Sequence, residues 1–197
     1  MDEANLPPDL LPDLPPDLPP DLLPDLLPDL LPDLDGTEPG LVVLMCGLPG
    51  SGKSTCAKAL ERRGFVRLSI DEVVWARIGH DPARLDPAVY ERLKAEAEEE
   101  LWQELVRLLE ARRPVVVDYS FWRRSTRDRY KALVERHGCR WELIRLRAEL
   151  PVLLRRLAVR NRSEGANSVT VSAETLRRYF DAFEEPVGEG ERVVQQY

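Results

Sequence analysis

Leu41-Val-Val-Leu-Met-Cys46, followed at once by Gly47-Leu48-Pro49-Gly50-Ser51-Gly52-Lys53-Ser54-Thr55, is the stretch that decides the fold. The first six residues are all apolar, so no face is left for water; a run this short reads as a strand buried on both sides of a parallel sheet. The turn behind it has the spacing G-x-x-x-x-G-K-[ST]. Glycines there let the backbone curl until successive N–H groups converge on phosphate oxygens, and the helix that follows adds the positive end of its dipole. Gly47, Pro49, Gly50, Ser51, Gly52, Lys53, Ser54 and Thr55 are therefore the expected nucleotide-binding residues. Lys53 supplies a charge for the β- and γ-phosphates, Ser54 a hydroxyl for Mg2+, and Thr55 a second hydroxyl near the α-phosphate. ATP and Mg2+ are the cofactors this implies.

Downstream, apolar residues at helical spacing over 53–63 stop at Gly64, and 65–70 reads as a second strand ending on Asp71. A long amphipathic helix spans 87–112, with Leu93, Ala97, Leu101, Leu105 and Leu108 on one stripe. Val115-Val-Val-Asp118 is a third strand, 125–136 a helix, 141–146 a fourth strand, 151–160 and 172–183 further helices, and 192–197 an edge strand. Strands separated by helices in this rhythm predict an α/β fold, the three-layer sandwich of P-loop NTPases, with a parallel sheet covered on both faces and ligands at the carboxyl ends of its strands.

Upstream the character changes. From Pro7 to Leu34 the chain is seven tetrads of the form PPDL or LPDL, with proline second in each. Proline removes backbone donors and fixes its own dihedral, so residues 1–40 are expected to be a disordered, acidic, polyproline-like tail, and residues 41–197 the domain. The tail holds 11 acidic residues and no basic one, which leaves 24 acidic against 28 basic in the remainder. The domain is thus mildly basic, at +4, although the whole chain is at −7. Three cysteines without metal-type spacing, and no apolar run of the ~18 residues a membrane helix needs, lead to the expectation of a cytoplasmic protein with reduced thiols.

Moving a phosphoryl group takes more than a cradle. Asp118, closing an apolar strand, has the form of the carboxylate that organises the metal with Ser54. Asp71, at the other acidic strand end, can accept the proton of an acceptor hydroxyl, or can cap a helix starting at Glu72. Arg156 and Arg160, four apart and so on one helical face, are the candidate transition-state cations, on a lid around 155–172. Trp122 beside Arg123 and Arg124 is placed in a substrate cleft. His80 and His137 have no metal-like or triad-like companion.

In this order the features, from Leu41 to about Pro186, resemble the small P-loop kinases grouped with the polynucleotide 5'-kinase domain, chloramphenicol phosphotransferase and zeta-toxin-type kinases, often described as AAA-family ATP-binding proteins. GLPGSGKST at 47–55 is similar to that family's P-loop, LSID ending at Asp71 to the strand end bearing its general base, and LLRRLAVRN from Leu153 to its arginine-bearing lid helix. The resemblance implies an ATP-dependent phosphotransferase acting on an unidentified hydroxyl-bearing acceptor, a small molecule or nucleoside. One departure bears on the acceptor. Polynucleotide kinases carry an arginine three residues after the catalytic aspartate; here that residue is Val74, with Arg77 the nearest arginine. A nucleic-acid 5'-end kinase is therefore an alternative, as is a nucleotide-dependent ATPase or switch that binds a protein partner.

Overall fold

No atom of Leu41–Cys46 (β1) reaches solvent, and the rest of the fold supplies the cover for its two faces. The computed structural model describes residues 34, 36–162, 165–166 and 169–196. β1 lies at the centre of a five-stranded sheet in the order β2-β3-β1-β4-β5, where β2 is Val66–Leu68, β3 Val115–Val117, β4 Arg140–Ala148 and β5 Glu191–Gln196. All four pairings are parallel, with Val42 opposite Val115 on one side and Trp141 on the other. Parallel neighbours need crossovers, and the helices Lys53–Arg62 (α1), Ile70–Ile78 (α2), Pro87–Glu110 (α3), Arg124–Arg136 (α4), Leu150–Arg160 (α5) and Ala173–Ala182 (α6) intervene between strands.

Strand alternation sorts the core into two layers. Leu41, Val43, Met45, Val116 and Ile144 face Cys56, Ala57 and Leu60 of α1. Val42, Leu44, Cys46, Val115, Val117 and Leu143 face Leu101, Leu105 and Leu108 of α3 and Tyr130, Leu133 and Val134 of α4. Each large apolar side chain so buried contributes about 1.5–3 kcal/mol. This is the three-layer α/β sandwich expected, and β5 is an edge strand, as is β2 on the other side. Among the described residues no helix is long and apolar enough to cross a membrane.

Two boundaries move. β2 ends at Leu68, and α2 starts at Ile70 behind an extended Ser69, so Asp71 stands in the first turn of α2 and neither ends the strand nor caps a helix. The packed body also begins before Leu41. Leu34 is fully buried with Leu41, Val43 and Phe65, and Glu38 takes two hydrogen bonds from Arg140, 2.8 and 2.6 Å long. The last leucine of the repeats therefore belongs to the core. Residues 1–33 and 35, within the tail expected to be disordered, lie outside the described residues.

Behind the loop after β3, the chain is held by charge. Arg127 and Lys131, one turn apart on α4, are buried around Glu189. Arg127 donates to both carboxylate oxygens, at 2.8 and 2.6 Å, and to Phe121 O at 2.9 Å; Lys131 donates to Glu189 O at 2.8 Å. This fixes the approach to β5 and the loop after β3, where Phe121 is held at φ 42°, a region costly for a side chain of its size. Removing one partner of a buried pair leaves the others uncompensated. Glu189→Gln is expected to lower stability at neutral pH by about 3 kcal/mol, read from urea unfolding. The hydrogen bonds from Arg127 hold the Glu189 carboxyl below its ordinary value. Its contribution is therefore complete above the ordinary glutamate range and is lost as pH falls through the lower, folded-state value; the gap between wild type and variant should close there.

Candidate active site

The turn after β1 rests on the loop after β3. Gly47 N–H donates to Ser120 O at 3.0 Å, and a Cβ on Gly47 would come within 2.7 Å of Leu146 O and 2.8 Å of Ser51 Oγ. Gly50 and Gly52 have φ of 86° and 95°, values open to glycine at little cost. Gly52 is the N-cap of α1, with no side chain bonded to the cap. The first amides of that helix have no partner within it. Ser51 turns inward: it is 1% exposed and its Oγ has no hydrogen-bond partner among the described residues. Pro49 stands at the half-buried tip, and Thr55 in the first turn of α1.

The sheet and α1 bring the predicted residues together. Lys53 Nζ donates to Leu48 O at 2.9 Å, which lays the side chain back along the loop. Burial lowers its pKa, against the opposing pull of Asp118 and Asp71. Ser54 Oγ donates to Asp118 Oδ1 at 3.3 Å across 64 residues of sequence. Asp71 is half-buried; burial first, and then the charge of Asp118, raise its carboxyl above the ordinary value, while Lys53, Lys94 and Arg160 oppose that rise.

From α5, Arg156 Nη1 reaches Gly50 O at 3.5 Å and Gln196 Oε1 at 3.4 Å, and so touches the cradle from the β5 side. Arg160 Nη2 donates to Val169 O at 2.7 Å, and its buried Nε has no hydrogen-bond partner among the described residues. The charges of Asp71 and Asp81 both act on Arg160. Trp122 lies under Arg123, 4.2 Å from ring centroid to guanidinium carbon, and its carbonyl accepts from Glu184 N at 3.0 Å. Arg77 is engaged by Glu96 and Glu100 of α3, and Val74 is buried.

Two sets of residues escape sequence reasoning. Arg67 of β2 donates to Asp118 Oδ2 from Nε at 3.1 Å and from Nη2 at 2.7 Å, and to Glu72 Oε1 from Nη1 at 2.6 Å. Its only signal in the sequence is a charge inside an otherwise apolar strand. Asp81, after α2, accepts from Thr170 Oγ1 at 2.5 Å and from Thr170 N at 3.4 Å. Asn161 exchanges hydrogen bonds with Val171, 2.9 and 3.3 Å. The expected lid over 155–172 is described only in part, 163–164 and 167–168 lying outside the described residues; its returning limb at 169–171 is tied both to α5 and to the α2–α3 loop.

The oxygens present suit Mg2+. Ser54 Oγ and Asp118 Oδ1 are hard donors beside each other, and no group of three or more acidic, His or Cys side chains able to hold a metal occurs among the described residues. Mg2+ is commonly held by one or two protein oxygens, with waters and substrate phosphates completing its shell.

A family model described as an AAA domain matches residues 42–186. No curated protein matches the chain. Among solved structures, a candidate kinase from Chloroflexus aurantiacus is 20% identical, with a TM-score of 0.63 over 81% of this chain and 87% of that one. Kti12 from Chaetomium thermophilum, in complex with ADP-AlF3, is 12% identical, with a TM-score of 0.53 over 78% and 88%. A gluconokinase from Sinorhizobium meliloti is 22% identical, with a TM-score of 0.47 over 80% and 83%. At these identities the likeness is one of fold, that of the P-loop NTPases.

Asp81→Ala should speed amide hydrogen exchange at 169–171 relative to wild type, while costing less than about 1.5 kcal/mol of global stability. Exchange at 169–171 unchanged from wild type would show that Asp81 does not tie this limb down.

Proposed function

The chain belongs to this family of AAA domains, and from that premise we propose that it binds ATP with Mg2+ and transfers the γ-phosphoryl group to a hydroxyl of a small, uncharged acceptor. The observation that carries this reading is the convergence of Ser54 and Asp118, 3.3 Å apart, with Lys53 and with Asp71 on a second element. Asp71 is the group that takes the reading beyond nucleotide binding.

In the proposed transfer Asp71 takes the proton of the acceptor hydroxyl. The acceptor oxygen forms a bond to the γ-phosphorus, and the bond from that phosphorus to the β–γ bridging oxygen breaks, leaving ADP. A carboxyl whose pKa is raised is a stronger base for this step. The first amides of α1 and Lys53 hold the phosphates, and Arg156 and Arg160 meet the charge that develops on the transferred group. Bound Mg2+ neutralises phosphate charge; Ser54 and Asp118 are the residues that would hold it.

An uncharged acceptor is supported by the surroundings of Asp71. Val74 replaces the arginine that would grip a nucleic-acid phosphate and is buried, and Arg77 is held by two glutamates. Cytoplasmic location is supported by three free cysteines, two of them buried, with burial pushing the Cys46 and Cys56 thiols up to about 11 and about 12.

Asp71→Asn should reduce transfer by about 10²–10⁴-fold while ATP affinity stays within about twofold of wild type; undiminished transfer would remove Asp71 from the chemistry. Lys53→Ala should weaken ATP binding by about tenfold or more, as expected for loss of a charge-assisted contact. Isothermal calorimetry would check the second outcome, and unchanged affinity would contradict the cradle.

A further inference from the structure

Alternation along β2 places Leu68, with Val66 beside it, on the face covered by α3 and α4, and Arg67 on the opposite face. Arg67 stands opposite Val116 in the register, and Asp118, two residues further on, points to the same side. The Arg67 side chain is 2% exposed and so is that of Asp118. Both Nε and Nη2 of Arg67 converge on a single oxygen, Oδ2, at 3.1 and 2.7 Å. Oδ1 is left to Ser54. The remaining arm of the fork goes to Glu72, the residue next to Asp71 in the first turn of α2.

We propose that Arg67 is a positioning residue: it locks Asp118 with Oδ1 turned toward Ser54, and ties that carboxylate to the helix turn that carries Asp71. The inference rests on the nucleotide-binding reading above. Fold stability alone gives a weak reason for an arginine here, because a buried ion pair at an edge-strand position is often replaceable by apolar side chains at no loss. The fork explains the residue type. A lysine would neutralise Asp118 but is a single point charge, and could not grip one carboxylate oxygen from two nitrogens while reaching Glu72 with a third.

The test is the dissociation constant of ATP measured with Mg2+ and again with EDTA, for wild type, Arg67→Met and Arg67→Lys. Wild type should bind more tightly with Mg2+. In Arg67→Met the ratio of the two constants should fall about tenfold or more, the scale on which outer-shell partners act on metal affinity, while the EDTA value stays within about threefold. Arg67→Lys should be intermediate. It also decides the matter alone if the methionine variant does not fold, since it keeps the charge and loses the fork. Retention of the wild-type ratio in both variants would overturn the proposal, as would equal weakening with Mg2+ and EDTA, the mark of a purely structural residue. Wild type that binds ATP but gains nothing from Mg2+ also overturns it and leaves the ATP reading standing. Wild type that binds no ATP under either condition sinks the nucleotide reading itself, and this inference with it.

Discussion

The burial of β1 on both faces is the constraint from which the rest follows. A strand with no exposed side needs a helical layer above and below, and the parallel neighbours that make this possible oblige the chain to cross over the sheet between strands. With β2 and β3 on one side of β1 and β4 and β5 on the other, the carboxyl end of β1 falls where the strand order reverses, the position at which open α/β sheets bind ligands. The phosphate cradle is thus the direct continuation of the most buried strand. Its rigidity is borrowed from the core: Gly47 hangs on Ser120, and the loop holding Ser120 is fastened through Phe121 to the Arg127–Glu189 pair.

Charge organisation sets the second level. Lys53, Arg67 and Arg160 are drawn together with Asp71, Asp118 and Glu72 on elements far apart in sequence. The two aspartates stand in different surroundings. Asp118 is clamped by a guanidinium and a hydroxyl, which orient it, while Asp71 is half-buried without such a clamp and burial raises its pKa. Two carboxyl groups in different surroundings can take different roles in one site, one positioning and the other accepting a proton. The tie between Asp81 and Thr170 adds a mechanical link, since it joins the loop after α2 to the limb that Arg160 also grips.

Local patterns were enough to reveal the layers and the cradle. Six apolar residues before a glycine-rich turn, leucines at helical spacing in α3 and apolar runs in β3 and β4 are local signals, and the fold reads directly from them. Where β2 passes into α2 the pattern is deceptive: Phe65-Val-Arg-Leu-Ser-Ile70 is rich in strand-forming residues, yet Ser69 breaks the strand and Ile70 opens a helix because tertiary packing overrides propensity. Leu34 repeats a tetrad six times seen before it, so nothing in its neighbourhood distinguishes the copy that enters the core. Arg67 and Asp118 are 51 positions apart, Arg127 and Glu189 62, and Thr170 and Asp81 89. Such partnerships are created by the fold and have no periodicity to betray them. The acceptor is hidden for a related reason, since no motif for one is readable in the loop between α2 and α3 or around Trp122.

The central claim is that the γ-phosphoryl group goes to a hydroxyl and not to water. The most direct measurement follows the label from γ-labelled ATP with Mg2+ across nucleosides, sugars, hydroxyl-bearing antibiotics and oligonucleotide 5' ends. The account predicts label in an ester of an uncharged compound, formed faster than inorganic phosphate is released, with oligonucleotide ends unlabelled. Label recovered only as inorganic phosphate whatever compound is added would contradict it and make the protein an ATPase.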